Sequence, residues 1–163
     1  MSNKTNIQLW QKLSHKSCRD LPAAVAAFDD LTHPGVITHL RKHWPPDLVA
    51  AAITLTIARR KAAKKFADPE HLFVDPIGVE QATGIEVARY KARRFAEIGA
   101  DRIIDLCCGI GGDAMALAGI ADMMLIDTDP GRAWMARHNV ETAGGRRPAV
   151  AVADVTTLRI SDT

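Results

Sequence analysis

The 163 residues are 47% hydrophobic and 25% charged, which argues against a disordered or fibrous chain. A net charge of +2 is too small to mark a nucleic-acid binder by bulk charge. The charge is uneven, however: residues 1–100 hold 15 basic and 10 acidic side chains and residues 101–163 hold 6 and 9, so a polyanion is expected to meet the N-terminal part.

Up to about residue 65 the pattern is helical, with Leu, Val and Ile at helical spacing and turn signals at His33-Pro34-Gly35 and Pro45-Pro46. The clearest helix is predicted over 47–67, opening after Pro45-Pro46 with Arg59, Arg60, Lys61, Lys64 and Lys65 toward its C-terminal end. That cluster reads as a solvated face suited to the helix dipole, with a phosphate-contacting patch as the sharper alternative. A loop with Asp-Pro pairs at 68 and 75 leads to a second helix over 79–98, with Ile85, Ala88, Ala92, Phe95 and Ala96 on one face.

From residue 101 the pattern becomes strand, turn, helix. Strands are predicted at 102–106, 123–126 and 149–153, and helices at 113–118 and 131–141, which makes a parallel, right-handed βαβαβ unit. The expected fold class is therefore α/β: a helical N-terminal region, residues 1–65, then the first half of a Rossmann-like sheet, residues 66–163. Cys18, Cys107 and Cys108 form neither an even framework nor zinc knuckles, so a reducing, cytoplasmic setting is expected. The N-terminus lacks the apolar run of a signal peptide, and no segment approaches the roughly 20 apolar residues that span a bilayer.

The informative stretch is Ile103-Ile104-Asp105-Leu106-Cys107-Cys108-Gly109-Ile110-Gly111-Gly112-Asp113. A strand ending in a glycine-rich turn that opens a helix lets a ligand approach bare backbone. Gly109-x-Gly111-x-x-Ala114 also fits a dinucleotide fingerprint, with Asp127 near the expected ribose position. Asp105, Asp113, Asp127 and Asp129 crowd the carboxyl ends of two adjacent strands, where a pyrophosphate would be repelled and a cationic ligand attracted. An NAD-dependent oxidoreductase is disfavoured on that ground.

Asp105-x-Cys107-x-Gly109-x-Gly111, then Ile126-Asp127-x-Asp129-Pro130, then Val152-Ala153-Asp154 resembles the motifs of class I S-adenosylmethionine-dependent methyltransferases. The resemblance implies that Cys107, Gly109 and Gly111 form the turn beneath the cofactor's methionine part and that Asp105 anchors that turn and the ammonium. It implies that Asp127 accepts from the ribose hydroxyls, that Asp129 belongs to the same cofactor-binding set, and that Asp154 sits near the adenine amino group. Cys107 stands where the family often has glycine. The form Asp-Leu-Cys-Cys-Gly-Ile-Gly-Gly-Asp is similar to that of trimethylguanosine synthase-like and bacterial THUMP-like methyltransferases, and Gly78-Val79-Glu80-Gln81-Ala82-Thr83 to their cofactor-covering stretch. Gln81 and Thr83 are then expected to bond the methionine carboxylate. The resemblance covers about residues 66–158.

Blander readings apply elsewhere. Cys107 and Cys108 are expected to be small buried residues, His138 to follow the second helix and be exposed, and Trp10, Trp44 and Trp134 to be packing anchors. The histidines make no metal set of three, although His39 and His43 stand one helical turn apart. In the family the substrate-orienting Asp-Pro-Pro motif follows a fourth strand; this chain ends at Ser161-Asp162-Thr163 before one forms. The expectation is a cofactor-binding half of an RNA methyltransferase that acts on a nucleobase nitrogen, with catalytic residues unassigned and the chain inactive alone. The competing expectation is a non-catalytic binding module with an interaction surface on its helical N-terminus. The first strand is central in the full fold, so its open edge is expected to self-associate or to be shielded by the N-terminal helices.

Overall fold

The three strands pair in parallel in the order β1 (Arg102–Leu106), β2 (Asp122–Asp127), β3 (Ala149–Val152) in this computed structural model, which describes residues 7–159. Residues 1–6 of the signal-peptide reading and the terminal Ser161-Asp162-Thr163 lie outside that range. Arg102 stands opposite Asp122 and Leu106 opposite Ile126, while Met124 stands opposite Ala149 and Asp127 opposite Val152. The fold is thus the partial Rossmann-like α/β unit that the alternation of elements requires.

Helices α1 (Ile7–Ser14), α2 (Asp20–Ala26), α3 (Pro34–Leu40) and α4 (Pro46–Ala62) precede the sheet; α5 (Pro76–Gln81) and α6 (Ile85–Glu97) lead into it, and α7 (Ala114–Leu117) and α8 (Pro130–Thr142) are its crossovers. Ile103, Met123 and Leu125 bury one sheet face against Ala114 and Leu117 of α7 and Ala136 and Val140 of α8. The period of two sends Ile104, Leu106 and Met124 to the opposite face, where they are 42%, 47% and 37% exposed. A second core joins α1, α2 and α4 to Phe73, Val74 and Val79, and reaches Ile110 in the glycine-rich turn and Met135 on α8. Among the described residues no helix is long and apolar enough to cross a membrane.

The structure changes four local expectations. The helix over 79–98 is two helices, broken at residues 82–84. Lys65 bonds both sides of the break: its Nζ donates to the carbonyls of Val79, Glu80 and Ala82 at 2.8, 2.9 and 2.8 Å, closing the end of α5, and its own carbonyl accepts from Ile85 N at 3.1 Å, where α6 starts. The helix predicted to 67 stops at Ala62, so Lys64 and Lys65 lie beyond α4; Arg60, Lys61 and Lys64 are exposed, as a solvated face requires, while Arg59 and Lys65 are half-buried. Arg60 donates to the carbonyls of Phe28 and Asp29, Lys61 pairs with Glu80 at 3.1 Å, and Arg59 Nε donates to Leu72 O at 2.8 Å. Cys107 is exposed, although Cys108 is buried as expected. His138 lies within α8, half-buried and stacked on Trp134.

Candidate functional site

Beyond Leu106 the chain keeps to the sheet for one more bond, Cys108 N to Ile126 O at 2.9 Å, and then folds into the turn. Cys107 has φ 64°, a left-handed conformation that glycine tolerates and a Cβ opposes. Gly111, at φ 84°, lies so near α8 that a Cβ would meet Ala136 Cα at 3.0 Å; its place is the close approach of turn and helix. A Cβ on Gly112 would meet Thr83 O at 2.8 Å, so the turn also needs bare backbone against the α5–α6 loop.

Asp127, at the end of β2, fixes this turn. Its Oδ2 accepts from Gly109 N at 2.8 Å and its Oδ1 from Asp129 N at 2.9 Å. Asp129 caps α8, accepting from Gly131 N at 2.7 Å and Arg132 N at 3.3 Å, with Pro130 at the first helical position. Asp75-Pro76 repeats the device at α5: Asp75 Oδ1 accepts from Ile77 N and Gly78 N, and Oδ2 faces Arg132 Nε at 3.2 Å. Two of the three Asp-Pro pairs are thus side-chain helix caps, and Arg132 ties the two capped ends together.

These elements surround an open cavity of about 290 Å³, near the small end of ligand pockets. Gln81, Thr83, Asp105, Cys107, Gly109 and Asp127 line it together. The remaining three residues of the expected set do not: Gly111 packs against α8, Asp129 caps it, and Asp154 is exposed and closes its own turn on Thr156 at 2.9 and 2.7 Å.

The cavity is acidic, and part of its charge is answered from within. Lys91 Nζ meets Asp113 Oδ2 at 2.7 Å, and the Thr83 hydroxyl donates to the same oxygen at 2.8 Å. Asp113 Oδ1 is buried with no hydrogen-bond partner among the described residues. Asp105 is pushed up to about 6, first by burial and then by Asp113 and Asp127, against the opposing pull of Lys91. Burial, with Asp105 and Asp127 nearby, also drives the Cys108 thiol upward, so it stays protonated. Arg132 also lines the cavity, but its guanidinium is paired with Asp75, which leaves Asp105 and Asp127 without an ion pair among the described residues.

Arg132, Lys91, Asp75 and Asn139 escaped the sequence reading. Asp75-Pro76 ahead of an apolar run was a legible cap signal; the others carry no local mark, since their partners lie on separate elements.

No family model matches the chain. It is 37% identical over 101 residues to two curated Mycobacterium tuberculosis proteins, of strains CDC 1551 / Oshkosh and H37Rv, each described as an uncharacterized S-adenosylmethionine-dependent methyltransferase. The match covers 56% of this chain and 27% of each relative, so the chain corresponds to about a quarter of the length of the proteins it resembles.

Proposed function

We propose that the chain is the S-adenosylmethionine-binding portion of a methyltransferase that acts on RNA at a nucleobase nitrogen. The observation that carries this reading is the convergence of Asp105, Asp113 and Asp127 on one cavity over a glycine-rich turn, with the buried Asp113 Oδ1 lacking a donor. A ligand with cationic and hydroxyl groups fits that set of acceptors, and a dianionic pyrophosphate does not. Similarity to proteins described as S-adenosylmethionine-dependent methyltransferases supports the same cofactor. The basic surplus of residues 1–100 and the trimethylguanosine synthase-like and THUMP-like form of the turn support RNA as acceptor.

In this reading each Asp127 oxygen, already accepting one backbone N–H, keeps a lone pair for a ribose hydroxyl. Asp105 faces the ammonium, and Asp113, whose Oδ1 is buried, adds negative charge behind it. Thr83, whose hydroxyl is engaged with Asp113, positions that carboxylate, and Gln81, whose Oε1 accepts from Arg132 Nη1 at 3.2 Å, offers its amide nitrogen to the methionine carboxylate. Asp129 acts through the cap of α8, and Asp154 serves the adenine from the end of β3. When bound, the cofactor supplies an electrophilic methyl group that an acceptor nitrogen takes in line. The protein's task is positioning rather than strong-base chemistry.

S-adenosylmethionine or S-adenosylhomocysteine should raise the melting temperature while NAD does not, since a ligand that binds only the native state stabilises it by mass action. Asp127→Ala should weaken cofactor binding by about 1.5–3 kcal/mol, the usual range for hydrogen bonds to a charged group. Equal shifts with NAD would overturn the assignment. Label transferred from the cofactor's methyl group to protein or DNA but not to RNA would overturn the acceptor.

A further inference from the structure

A second cavity, about 980 Å³, lies between α4, the Pro69–His71 turn and α8, and shares no lining residue with the first. Leu13 and Pro22 contribute to an apolar wall. Arg19, Arg59 and Arg60 bring positive charge to it, and Glu70 is the only carboxylate among its lining residues.

Arg59 is held in place without a bonded carboxylate among the described residues, Glu70 acting on it through space. Its Nε donates to Leu72 O at 2.8 Å and its Cζ lies 5.7 Å from the centre of the Phe73 ring. Phe73 is itself fixed edge-on by Trp134 and His138, with ring centres at 5.0 and 4.7 Å. The two terminal nitrogens of Arg59 meet no acceptor among the described residues, and no carboxylate forms an ion pair with it there. His138, stacked on Trp134 at an interplanar angle of 24°, likewise has no hydrogen-bond partner among the described residues. Burial lowers the pKa of both groups, that of Arg59 to about 10, against the opposing pull of Glu70 on Arg59 and of Glu141 on His138. The Arg59 fork and the His138 imidazole are two donor groups on one cavity, and an anion that enters it accepts from both.

We propose that this cavity binds a nucleotide phosphate, with the Arg59 fork and the His138 imidazole as the donors to its oxygens. The paired terminal N–H groups of a guanidinium match two phosphate oxygens, which a single ammonium would not. Three guanidinium groups against one carboxylate leave charge for a dianion, and the volume and apolar wall leave room for the attached nucleoside. A free nucleotide and an RNA strand present the same phosphate. The proposal does not rest on methyl transfer, because the two cavities are separate.

The test is calorimetric titration with uridine 5′-monophosphate, uridine and a short oligouridylate, with and without saturating S-adenosylhomocysteine, alongside the NMR signals of the His138 imidazole. Uridine monophosphate should bind, shift those signals and be indifferent to S-adenosylhomocysteine, with uridine at least about tenfold weaker. Arg59→Gln and His138→Gln should each lower the affinity about tenfold, and Arg59→Lys, which keeps the charge and loses the fork, should fall between. Tighter binding of the oligouridylate assigns the site to an RNA strand; equal or weaker binding assigns it to a free nucleotide. The proposal is overturned if neither phosphate ligand binds, if uridine binds as well as its monophosphate, if S-adenosylhomocysteine competes, or if folded His138→Gln binds like the parent.

Discussion

The side-chain amide of Asn139 pairs with the backbone of Phe73 in both directions. Its Oδ1 accepts from Phe73 N at 2.7 Å and its Nδ2 donates to Phe73 O at 2.8 Å, as a neighbouring strand would. The same Nδ2 donates to Ile110 O at 2.9 Å, so one fully buried side chain on α8 joins the segment before α5 to the glycine-rich turn. Phe73 in turn forms a wall of the second cavity.

Asn139→Ala should therefore be severely destabilising. It leaves Phe73 N, Phe73 O and Ile110 O without their partner, at about 1–3 kcal/mol for each buried group left unsatisfied, and about 3 kcal/mol in total is expected once the structure relaxes. Asn139→Asp keeps the acceptor, loses both donations and should also destabilise. Urea unfolding of the two variants checks this; a change under about 0.5 kcal/mol, the scale of an ordinary surface substitution, would show that the amide is dispensable.

Asp105 should make stability fall with rising pH. Its folded-state pKa of about 6 lies above the roughly 3.9 of an unfolded aspartate, so the folded state holds the proton more firmly. The resulting penalty is absent below about pH 4, grows as the pH rises to about 6 and is fully present above that. Asp105→Asn should flatten this part of the stability curve and raise stability at neutral pH. A cationic ligand needs the carboxylate, so affinity for S-adenosylmethionine should decline as the pH falls through about 6, and the Asn variant should bind weakly without that dependence. Thermal unfolding and calorimetry over this range measure both effects.

At Cys107 the φ of 64° imposes a cost of about 1–2 kcal/mol on any residue with a Cβ. Cys107→Gly should stabilise the protein by up to about 1 kcal/mol, the relief being partly offset by the greater freedom of glycine in the unfolded chain. Cys107→Val should destabilise it, because a β-branched side chain suits this conformation least. Scanning calorimetry that ranks Val above Gly would refute the assignment of strain.

The free edge of β1 should associate. Among the described residues only β2 pairs with it, and Ile104 and Leu106 beside that edge are half exposed. Light scattering over a concentration series should show growing mass, with slow hydrogen exchange at the Ile103 and Ile104 amides. A monodisperse monomer that exchanges rapidly at both positions would exclude pairing and shielding alike.

The strands were legible because short apolar runs bounded by charge and glycine have few alternatives, and β1 matches its expected residues end to end. The turn was legible because closely spaced glycines after a strand have a stereochemical reason. The break at 82–84 is marked in the sequence only by Thr83-Gly84, with Gly84 the N-cap of α6; the donations of Lys65 that close α5 come from a residue remote in sequence. Asn139 reads as an ordinary polar residue in a helix until Phe73, 66 positions away, is brought to it. The buried side of His138 was equally hidden, since it is made by Arg59, Phe73 and Trp134 from three elements.

Lys65 also bears on how such a chain can be divided or recombined. Its ammonium holds the last carbonyls of α5 and the first of the loop that carries Thr83, so a wall of the acidic cavity is clamped by the chain just past α4. A sheet transplanted without that lysine would keep every glycine and aspartate of its motifs and leave the carbonyls of Val79, Glu80 and Ala82 without that donor. Exchange of the helical region between chains is therefore constrained at Lys65 Nζ as well as by the core that the helices share with Phe73, Val74 and Val79.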